Sequence, residues 1–331
     1  MRAVVAQAPV RVDFGGGWTD VPPYTVEQGG CVCNLAMAMH ARATLSECAS
    51  GVELNTETVS MRADRASLLR ADGDAALGAA ALRRAALDNV RLEITSDFPH
   101  SAGLGGSSAA GVAIAAAMAE WRHEQPTRDE LAMRSREVEV EELGIAGGFQ
   151  DHYAAAYGGA LGLRFGADTT VEEIPLSDRL AAALERQCLV AYTGASRISG
   201  ATITAVLDAY RDRVPRVVSA LARMRSLAEL MIDALKREAV DELGLLVAEH
   251  WELQRSLHET ITTPAIDRLF DSARASGALG AKALGASGGG CVVIITPAER
   301  FAEVRERVSS LARILPFSVT RQGAYVIPRE G

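Results

Sequence analysis

Cysteine is scarce in this chain and irregularly placed. The five thiols are Cys31, Cys33, Cys48, Cys188 and Cys291, an odd number whose spacings match no four-ligand zinc site. Cys31 and Cys33 stand two apart, which suits a strand better than a metal centre, and reduced, buried thiols in a cytoplasmic protein are the expectation. An excess of basic residues is also missing. The net charge of −8 argues against generic nucleic-acid binding, which leaves a basic footprint. It does not exclude an anionic substrate, because local basic residues and helix termini decide that. No long apolar run is present: the longest, Ala109 to Ala119, is about half of a membrane span and reads as a buried helix. Met1 to Phe14 lacks the basic region and apolar block of a signal peptide. Internal repeats and low-complexity tails are absent as well.

What remains is the composition of a soluble globular protein, 48% hydrophobic and 23% charged. Its 331 residues suffice for two domains or one large one. Residues 2–14 read as a strand, with Val4, Val5, Val10, Val12 and Phe14 in β-favouring positions, and Gly15-Gly16-Gly17 ends it. Residues 31–48 and 51–60 read as further strands. Residues 74–88 look helical, and 90–96 alternate apolar and polar, delivering the chain into a glycine loop. Ala109 to His123 reads as a helix of small residues. Thr127 with Glu130 three residues on predicts a capped helix running to about Leu143, followed by a loop over 144–150. The stretch 166–185, with mixed charge, Gly and Pro, is a candidate boundary. Beyond it come a strand at 188–192, amphipathic helices over about 200–277, a second glycine loop at 285–290, a strand at 291–295, a helix at 298–312 and a terminal strand at 323–327. This order predicts an α+β protein.

The strongest local signal is Pro99-His100-Ser101-Ala102-Gly103-Leu104-Gly105-Gly106-Ser107-Ser108. A glycine loop that opens a helix holds phosphate, because backbone N–H groups approach the anion and the helix N-terminus adds a favourable field. No Gly-Lys-Ser/Thr follows, so it is not a Walker A loop. The competing reading is a tight strand–helix connection with serine caps. The run Glu137-Val138-Glu139-Val140-Glu141-Glu142 is mostly a solvated helix face. One buried glutamate of it could hold Mg²⁺ while Asp151, twelve residues beyond Glu139, orients or deprotonates an accepting hydroxyl. Asp20 could accept hydrogen bonds from vicinal hydroxyls, Asp13 could cap the triple-glycine turn, and Arg11, charged inside a strand, needs a carboxylate partner. Trp18 either stacks on a sugar face or fills core. Lys282 and the loop 285–290 form a second glycine cradle. Arg197, just after a strand end, could clamp a phosphate or carboxylate or lie at the surface. His100 and His152 read as structural hydrogen-bonding residues before they read as bases.

Taken together, three ordered segments resemble the GHMP kinases: Pro9 to Asp20, Pro99 to Ala110, and Gly280 to Cys291. They span nearly the whole chain. Arg11-Val12-Asp13-Phe14-Gly15-Gly16-Gly17-Trp18-Thr19-Asp20, Gly147-Gly148-Phe149-Gln150-Asp151-His152-Tyr153 and Tyr192-Thr193-Gly194-Ala195-Ser196-Arg197 are similar to segments of the L-fucose kinases and D-glycero-D-manno-heptose 7-phosphate kinases within it.

The resemblance implies a two-domain fold, residues 1–170 and 171–331, with the active site in the cleft between them. It implies ATP and Mg²⁺, a small-molecule sugar or sugar phosphate as partner, and a cytoplasmic enzyme without nucleic-acid or membrane contacts; a homodimer stays open. Asp151 becomes the catalytic aspartate, with Arg11 stabilising charge beside it. Asp20, Trp18, Thr19 and Arg197 become substrate contacts. Gly103, Leu104, Gly105, Gly106, Ser107, Ser108, Gly288 and Gly289 become nucleotide contacts, and Ser108 with Glu139 holds Mg²⁺. Lys282 is a candidate for stabilising charge on the transferring group. The implied reaction phosphorylates an anomeric hydroxyl, first of D-glycero-D-manno-heptose 7-phosphate, with L-fucose as the alternative. A non-catalytic sugar or nucleotide sensor and an ATP-using decarboxylase of the mevalonate-diphosphate type are the rivals. Two departures stand out: His152 where many relatives have glutamine, which would alter substrate preference if it faced the sugar, and Ser287 where glycine is common.

Overall fold

A computed structural model describes residues 2–145, 147–194 and 200–328. The elements run β1 (Ala3–Gly15), α1 (Tyr24–Gln28), β2 (Gly30–Glu47), β3 (Val52–Asn55), β4 (Ser60–Ala63), α2 (Ala76–Ala85), β5 (Val90–Ser96), α3 (Gly106–Trp121), α4 (Arg128–Glu137), a π-helical turn (Val138–Glu142), α5 (Gln150–Tyr157), β6 (Ala160–Phe165) and β7 (Thr169–Ile174). They continue as α6 (Asp178–Gln187), β8 (Cys188–Tyr192), α7 (Gly200–Arg211), α8 (Pro215–Lys236), α9 (Val240–Leu257), α10 (Pro264–Ala275), β9 (Gly280–Ala283), β10 (Cys291–Ile295), α11 (Phe301–Ser309), β11 (Arg313–Leu315) and β12 (Tyr325–Val326). The α+β expectation agrees with this order.

Two sheets organise the chain. The first joins its strands in the order β12-β1-β2-β5-β3-β4, and β6, carrying β7, pairs with the first half of β2. The second is β11-β8-β10-β9, antiparallel throughout. The run expected as one strand over 51–60 is a hairpin, β3 and β4, turning at residues 56–59. The candidate boundary at 166–185 holds β7 and α6. The division after residue 170 falls inside β7, which pairs with β6 of the first sheet, while β12 returns from the chain's end to β1.

β1 is buried along nearly all its length. Successive side chains of a strand point to opposite faces, so both faces of β1 are covered. Helices α3, α5 and α8 do this packing. The same period of two puts Arg11 and Asp13 on one face, while Val10 and Val12 pack in the core. α3 is built of small residues so that it can lie close: a Cβ on Gly111 would fall 2.3 Å from Ser135 Oγ of α4. α4 opens with the capping box read from the sequence, Thr127 and Glu130 exchanging hydrogen bonds. A second apolar cluster fills the space between the second sheet and its helices, centred on Trp251, Tyr210, Phe270 and Met224. No helix among the described residues is long and apolar enough to cross a membrane.

The two sheets are tied by a charge. Lys282 of β9 is fully buried, and its ammonium donates to both the carboxylate and the main-chain oxygen of Asp13 in β1, each at 2.9 Å. Removing one partner of a buried ion pair leaves the other uncompensated, which typically costs about 3–5 kcal/mol. Lys282→Met is expected to lose stability on that scale in urea unfolding, and Asp13→Asn combined with it to recover most of the loss. A Lys282→Met midpoint equal to that of the wild type would show that the tie carries no stability.

Candidate active site

The glycine loop leaves β5 and enters α3 through two left-handed glycines, Gly103 (φ 73°) and Gly105 (φ 74°). The first helical hydrogen bond is Ala109 N–H to Gly105 O at 2.9 Å. The N–H groups of Gly106, Ser107 and Ser108 therefore have no acceptor within the helix. No side chain caps this end, which disposes of the serine-cap reading and leaves a bare N-terminus suited to an anion. Leu104 contributes differently: its side chain is core, and its carbonyl accepts Arg11 N–H at 3.0 Å.

The C-terminal glycine loop packs directly on this one. Cys291 N–H donates to Ala102 O at 2.6 Å, and a Cβ on Gly103 would come within 2.6 Å of Leu284 O. Gly288 N–H is used on Ile261 O, and buried Ser287, at φ 83°, donates to the same carbonyl. The serine at this position thus anchors the loop to the chain ahead of α10.

Across the loop stands Asp151, in the first turn of α5. Arg11 meets it as a fork, Nε to Oδ1 at 2.8 Å and Nη2 to Oδ2 at 2.9 Å, and the remaining Nη1 donates to Gly103 O at 2.6 Å. The partner expected for a charged residue inside β1 is thus Asp151. A Cβ on Gly105 would sit a tight 3.2 Å from the Asp151 carboxyl carbon and be strained at a φ of 74°, so glycine suits this close pass.

Beside this fork is a cavity of 160 Å³, walled by Arg11, Asp13, Trp18, Asp20, Gln150 and Asp151, with Ile203 and Ala286 contributed from the later part of the chain. Asp20 Oδ2 accepts Gln150 N–H at 3.0 Å. Burial, opposed by that hydrogen bond and reinforced by the charges of Asp151 and Asp13, raises the Asp20 carboxyl to about 6. Asp13 behaves oppositely: burial disfavours its charge, but Lys282, His250 and Arg11 together outweigh burial and hold it below the usual carboxylate range. Asp13 Oδ1, Trp18 Nε1 and Gln150 Oε1 are buried and have no hydrogen-bond partner among the described residues. They are one donor and two acceptors, an arrangement for a polyhydroxylic ligand. A larger cavity, 260 Å³, lies between α2, α3 and α4. Its arginines are already engaged, Arg84 by Glu137, Arg134 by Glu124 and Arg122 by Ala85 O, so size alone does not mark the chemistry.

Several expectations are corrected here. Thr19 is no substrate contact: its hydroxyl is completely buried, donates to Gly16 O at 2.6 Å, and ties the turn to Cys31. Lys282 does not reach the transferring group, because its ammonium is spent on Asp13. Asp13 is no turn cap but that ammonium's partner. His152 turns away from the sugar side, its Nε2 3.0 Å from Glu139 Oε2. Trp18 belongs to the second apolar cluster and also lines the cavity. Arg197 lies outside the described residues. One contributor was missed altogether: His250, fully buried, accepts Gly16 N–H at 2.9 Å, and burial with the nearby Lys282 charge pushes it down to about 3, so it is the neutral acceptor that pins the triple-glycine turn.

The acidic run divides as a solvated face and one inward group. Arg84 gathers Glu137, Glu141 and Glu142 at 2.7, 2.9 and 3.4 Å on the outside. The π-helical turn carries Glu139 inward, where Ser107 donates to its Oε1 at 3.1 Å. Burial disfavours the Glu139 charge, but His152, the Ser107 hydrogen bond and the charge of Arg136 together override it, and the carboxyl stays below its ordinary value. An ionised carboxylate beside the Ser107 and Ser108 hydroxyls fits Mg²⁺, which takes one or two protein oxygens and fills its shell with phosphate and water. Among the described residues no group of three or more acidic, His or Cys side chains forms a self-sufficient metal cage.

The N-terminal domain of the GHMP kinases matches residues 74–159, and the C-terminal domain matches residues 231–313. A D-glycero-alpha-D-manno-heptose 7-phosphate kinase of Campylobacter jejuni is 26% identical over 98% of this chain and 98% of its own. A bifunctional fucokinase/GDP-fucose pyrophosphorylase of Arabidopsis thaliana is 28% identical over 94% of this chain, which spans only 32% of that protein. A crystal structure of a D-glycero-D-manno-heptose 1-phosphate kinase from Bacteriodes thetaiotaomicron superimposes with a TM-score of 0.81 at 26% identity, covering 99% of this chain and 100% of that one. With both domains matched in order around the two glycine loops, the chain belongs to the GHMP kinases.

Proposed function

We propose that this kinase transfers the γ-phosphoryl group of ATP to the anomeric hydroxyl of a sugar. The observation that carries the reading is the Arg11–Asp151 fork, set between the uncapped N-terminus of α3 and a cavity of unpaired hydrogen-bonding groups. In this reading the sugar lies in that cavity, with hydroxyls on Asp20, Asp13 Oδ1, Gln150 Oε1 and Trp18 Nε1. The reacting hydroxyl donates its hydrogen to Asp151, which orients the oxygen for in-line attack. Arg11 fixes the rotamer of Asp151 and keeps positive charge next to the developing one. The free N–H groups of Gly106, Ser107 and Ser108 receive phosphate oxygens. Glu139 with Ser107 or Ser108 would hold Mg²⁺, which would supply charge neutralisation to the nucleotide phosphates.

D-glycero-D-manno-heptose 7-phosphate is the first substrate of this reading, supported by the Campylobacter jejuni relative that matches end to end. A distal phosphate then rests on Arg197 or its neighbours. L-fucose is the second reading, and one feature favours it: among the described residues lining the cavity, the one cation, Arg11, is already forked onto Asp151.

ADP release from MgATP, measured against the heptose 7-phosphate, the unphosphorylated heptose, L-fucose, D-mannose and D-galactose, separates these. Preference for the 7-phosphate by tenfold or more in kcat/KM is the expected result; preference for L-fucose keeps the mechanism and replaces the substrate, and no turnover with any sugar overturns the function. Asp151→Asn is expected to lower kcat at least about 10³-fold with nucleotide affinity little changed. Unchanged turnover would remove Asp151 from the chemistry. Asp20 sets a pH dependence. Its folded pKa, about 6, lies above its ordinary 3.8, so its contribution to stability falls as pH rises between the two values and is flat above. The carboxylate acceptor is lost in the opposite direction. Sugar affinity by calorimetry is expected to fall about tenfold from pH 7 to pH 5, and Asp20→Asn to bind weakly with no such slope. A slope that persists in Asp20→Asn would assign it to another group.

A further inference from the structure

The two sides of α5 face different parts of the site. Asp151 turns toward the sugar cavity, and His152, the next residue, turns to the other side, where its side chain is 2% exposed. Three elements converge on that imidazole. Its Nε2 lies 3.0 Å from Glu139 Oε2 of the π-helical turn, and its Nδ1 lies 2.9 Å from Ser135 Oγ of α4. Ser108 Oγ of α3 approaches Nε2 at 3.5 Å. Gly111 of α3 makes room for the Ser135 hydroxyl, since any Cβ there would stand 2.3 Å from it. A ring nitrogen facing a carboxylate donates, so Nε2 carries a proton, and the Ser135 hydroxyl satisfies Nδ1 as donor or acceptor. Ser107 donates to the other glutamate oxygen at 3.1 Å. Each carboxylate oxygen has a second lone pair, which this arrangement leaves for a cation.

We propose that His152 is a positioning residue for Glu139: it fixes the carboxylate rotamer that offers its remaining lone pairs to the nucleotide-bound divalent cation, and Ser135 in turn fixes the ring. The proposal rests on Glu139 being the metal ligand. Partners that orient a metal-binding side chain typically contribute 10–100-fold to metal affinity. It also gives His152 a role that neither its buried position nor the sugar cavity supplies. The residue sits next to Asp151 in the chain, so one short helix would set both the acceptor side and the metal side of the transfer.

The test is titration of Mn²⁺, standing in for Mg²⁺, onto the enzyme saturated with a non-hydrolysable ATP analogue, read by electron paramagnetic resonance. Glu139→Gln, His152→Ala and His152→Gln are compared with the wild type, with melting temperatures confirming folding and sugar affinity measured without metal. Glu139→Gln and His152→Ala are each expected to weaken Mn²⁺ about tenfold or more. His152→Gln, whose amide can still donate to Glu139, is expected to recover most of that, and sugar affinity to stay within about twofold of wild type throughout. If Glu139→Gln weakens Mn²⁺ and His152→Ala does not, the proposal falls and the metal assignment stands. If Glu139→Gln leaves Mn²⁺ affinity unchanged, the metal assignment falls and the proposal with it. Equal loss in His152→Ala and His152→Gln, or a shift in sugar affinity instead, also overturns it. Should His152→Ala not fold, His152→Asn, too short to reach Glu139, carries the same test: unchanged Mn²⁺ affinity there, with a loss in Glu139→Gln, overturns the proposal.

Discussion

The buried pairing of Lys282 with Asp13 is the constraint on which the site depends. β1 belongs to the first sheet and β9 to the second, so the ammonium crosses from one to the other. Both charges are taken out of water, and their attraction alone is weak evidence of stability. What the pair does supply is position. Asp13 lies two residues from Arg11 on the same face of β1, so holding Asp13 from the second sheet also holds Arg11 over Asp151. The same β9 leads into the glycine loop that packs on Ala102 and Gly103. The cation and the two glycine loops thus register against one another through a few atoms.

Charge balance around the cavity follows from that. Two cations, Arg11 and Lys282, face three carboxylates, Asp13, Asp20 and Asp151. The first two carboxylates to find partners are Asp151, by a fork, and Asp13, by the ammonium. Asp20 is buried beside two negative neighbours with a backbone N–H to oppose them, so its proton is held to about 6 while Asp13 shifts down. Asp20 has no close ion pair among the described residues, only the longer-range charge of Arg136, and is the carboxylate best placed to exchange hydrogen bonds with hydroxyls. Asp20 can also do so only because Gly148 has no side chain: a Cβ there would lie 2.0 Å from Oδ2.

The motifs were legible because they are local. A glycine loop opening a helix, a capping box at Thr127 and Glu130, and the alternation in β5 are each written within a dozen residues, and each appears where the pattern puts it. The missed features are those decided by tertiary partners. β7 reads Thr-Thr-Val-Glu-Glu-Ile and looked like a linker because, pairing only with β6, it needs no continuous apolar face. The fate of Lys282 depended on a carboxylate 269 positions away. The resemblance makes Thr19 a substrate contact, but its hydroxyl closes the turn onto β2. Neither His250 nor the direction of His152 has a sequence signature, since a histidine's role is set by what the neighbouring helices bring to its two nitrogens.

The same division bears on specificity. The machinery proposed for phosphate rests on backbone: the bare N–H groups of α3 and the close approach of glycines. Such contacts are indifferent to the acceptor, and a fold shared at a TM-score of 0.81 with 26% identity is compatible with keeping them while the acceptor changes. Discrimination must come from side chains that are buried whether or not a ligand is present. Asp13 Oδ1, Gln150 Oε1 and Trp18 Nε1 are such groups. An acceptor that supplies a donor to each oxygen and an acceptor to the indole satisfies all three; one lacking a single hydroxyl leaves a buried polar atom unmet, and sites built this way reject the deficient analogue by about 10⁴–10⁵. On the proposed reading, the stereochemistry of the sugar's hydroxyls against these three atoms and Asp20 decides the substrate more strongly than overall size does.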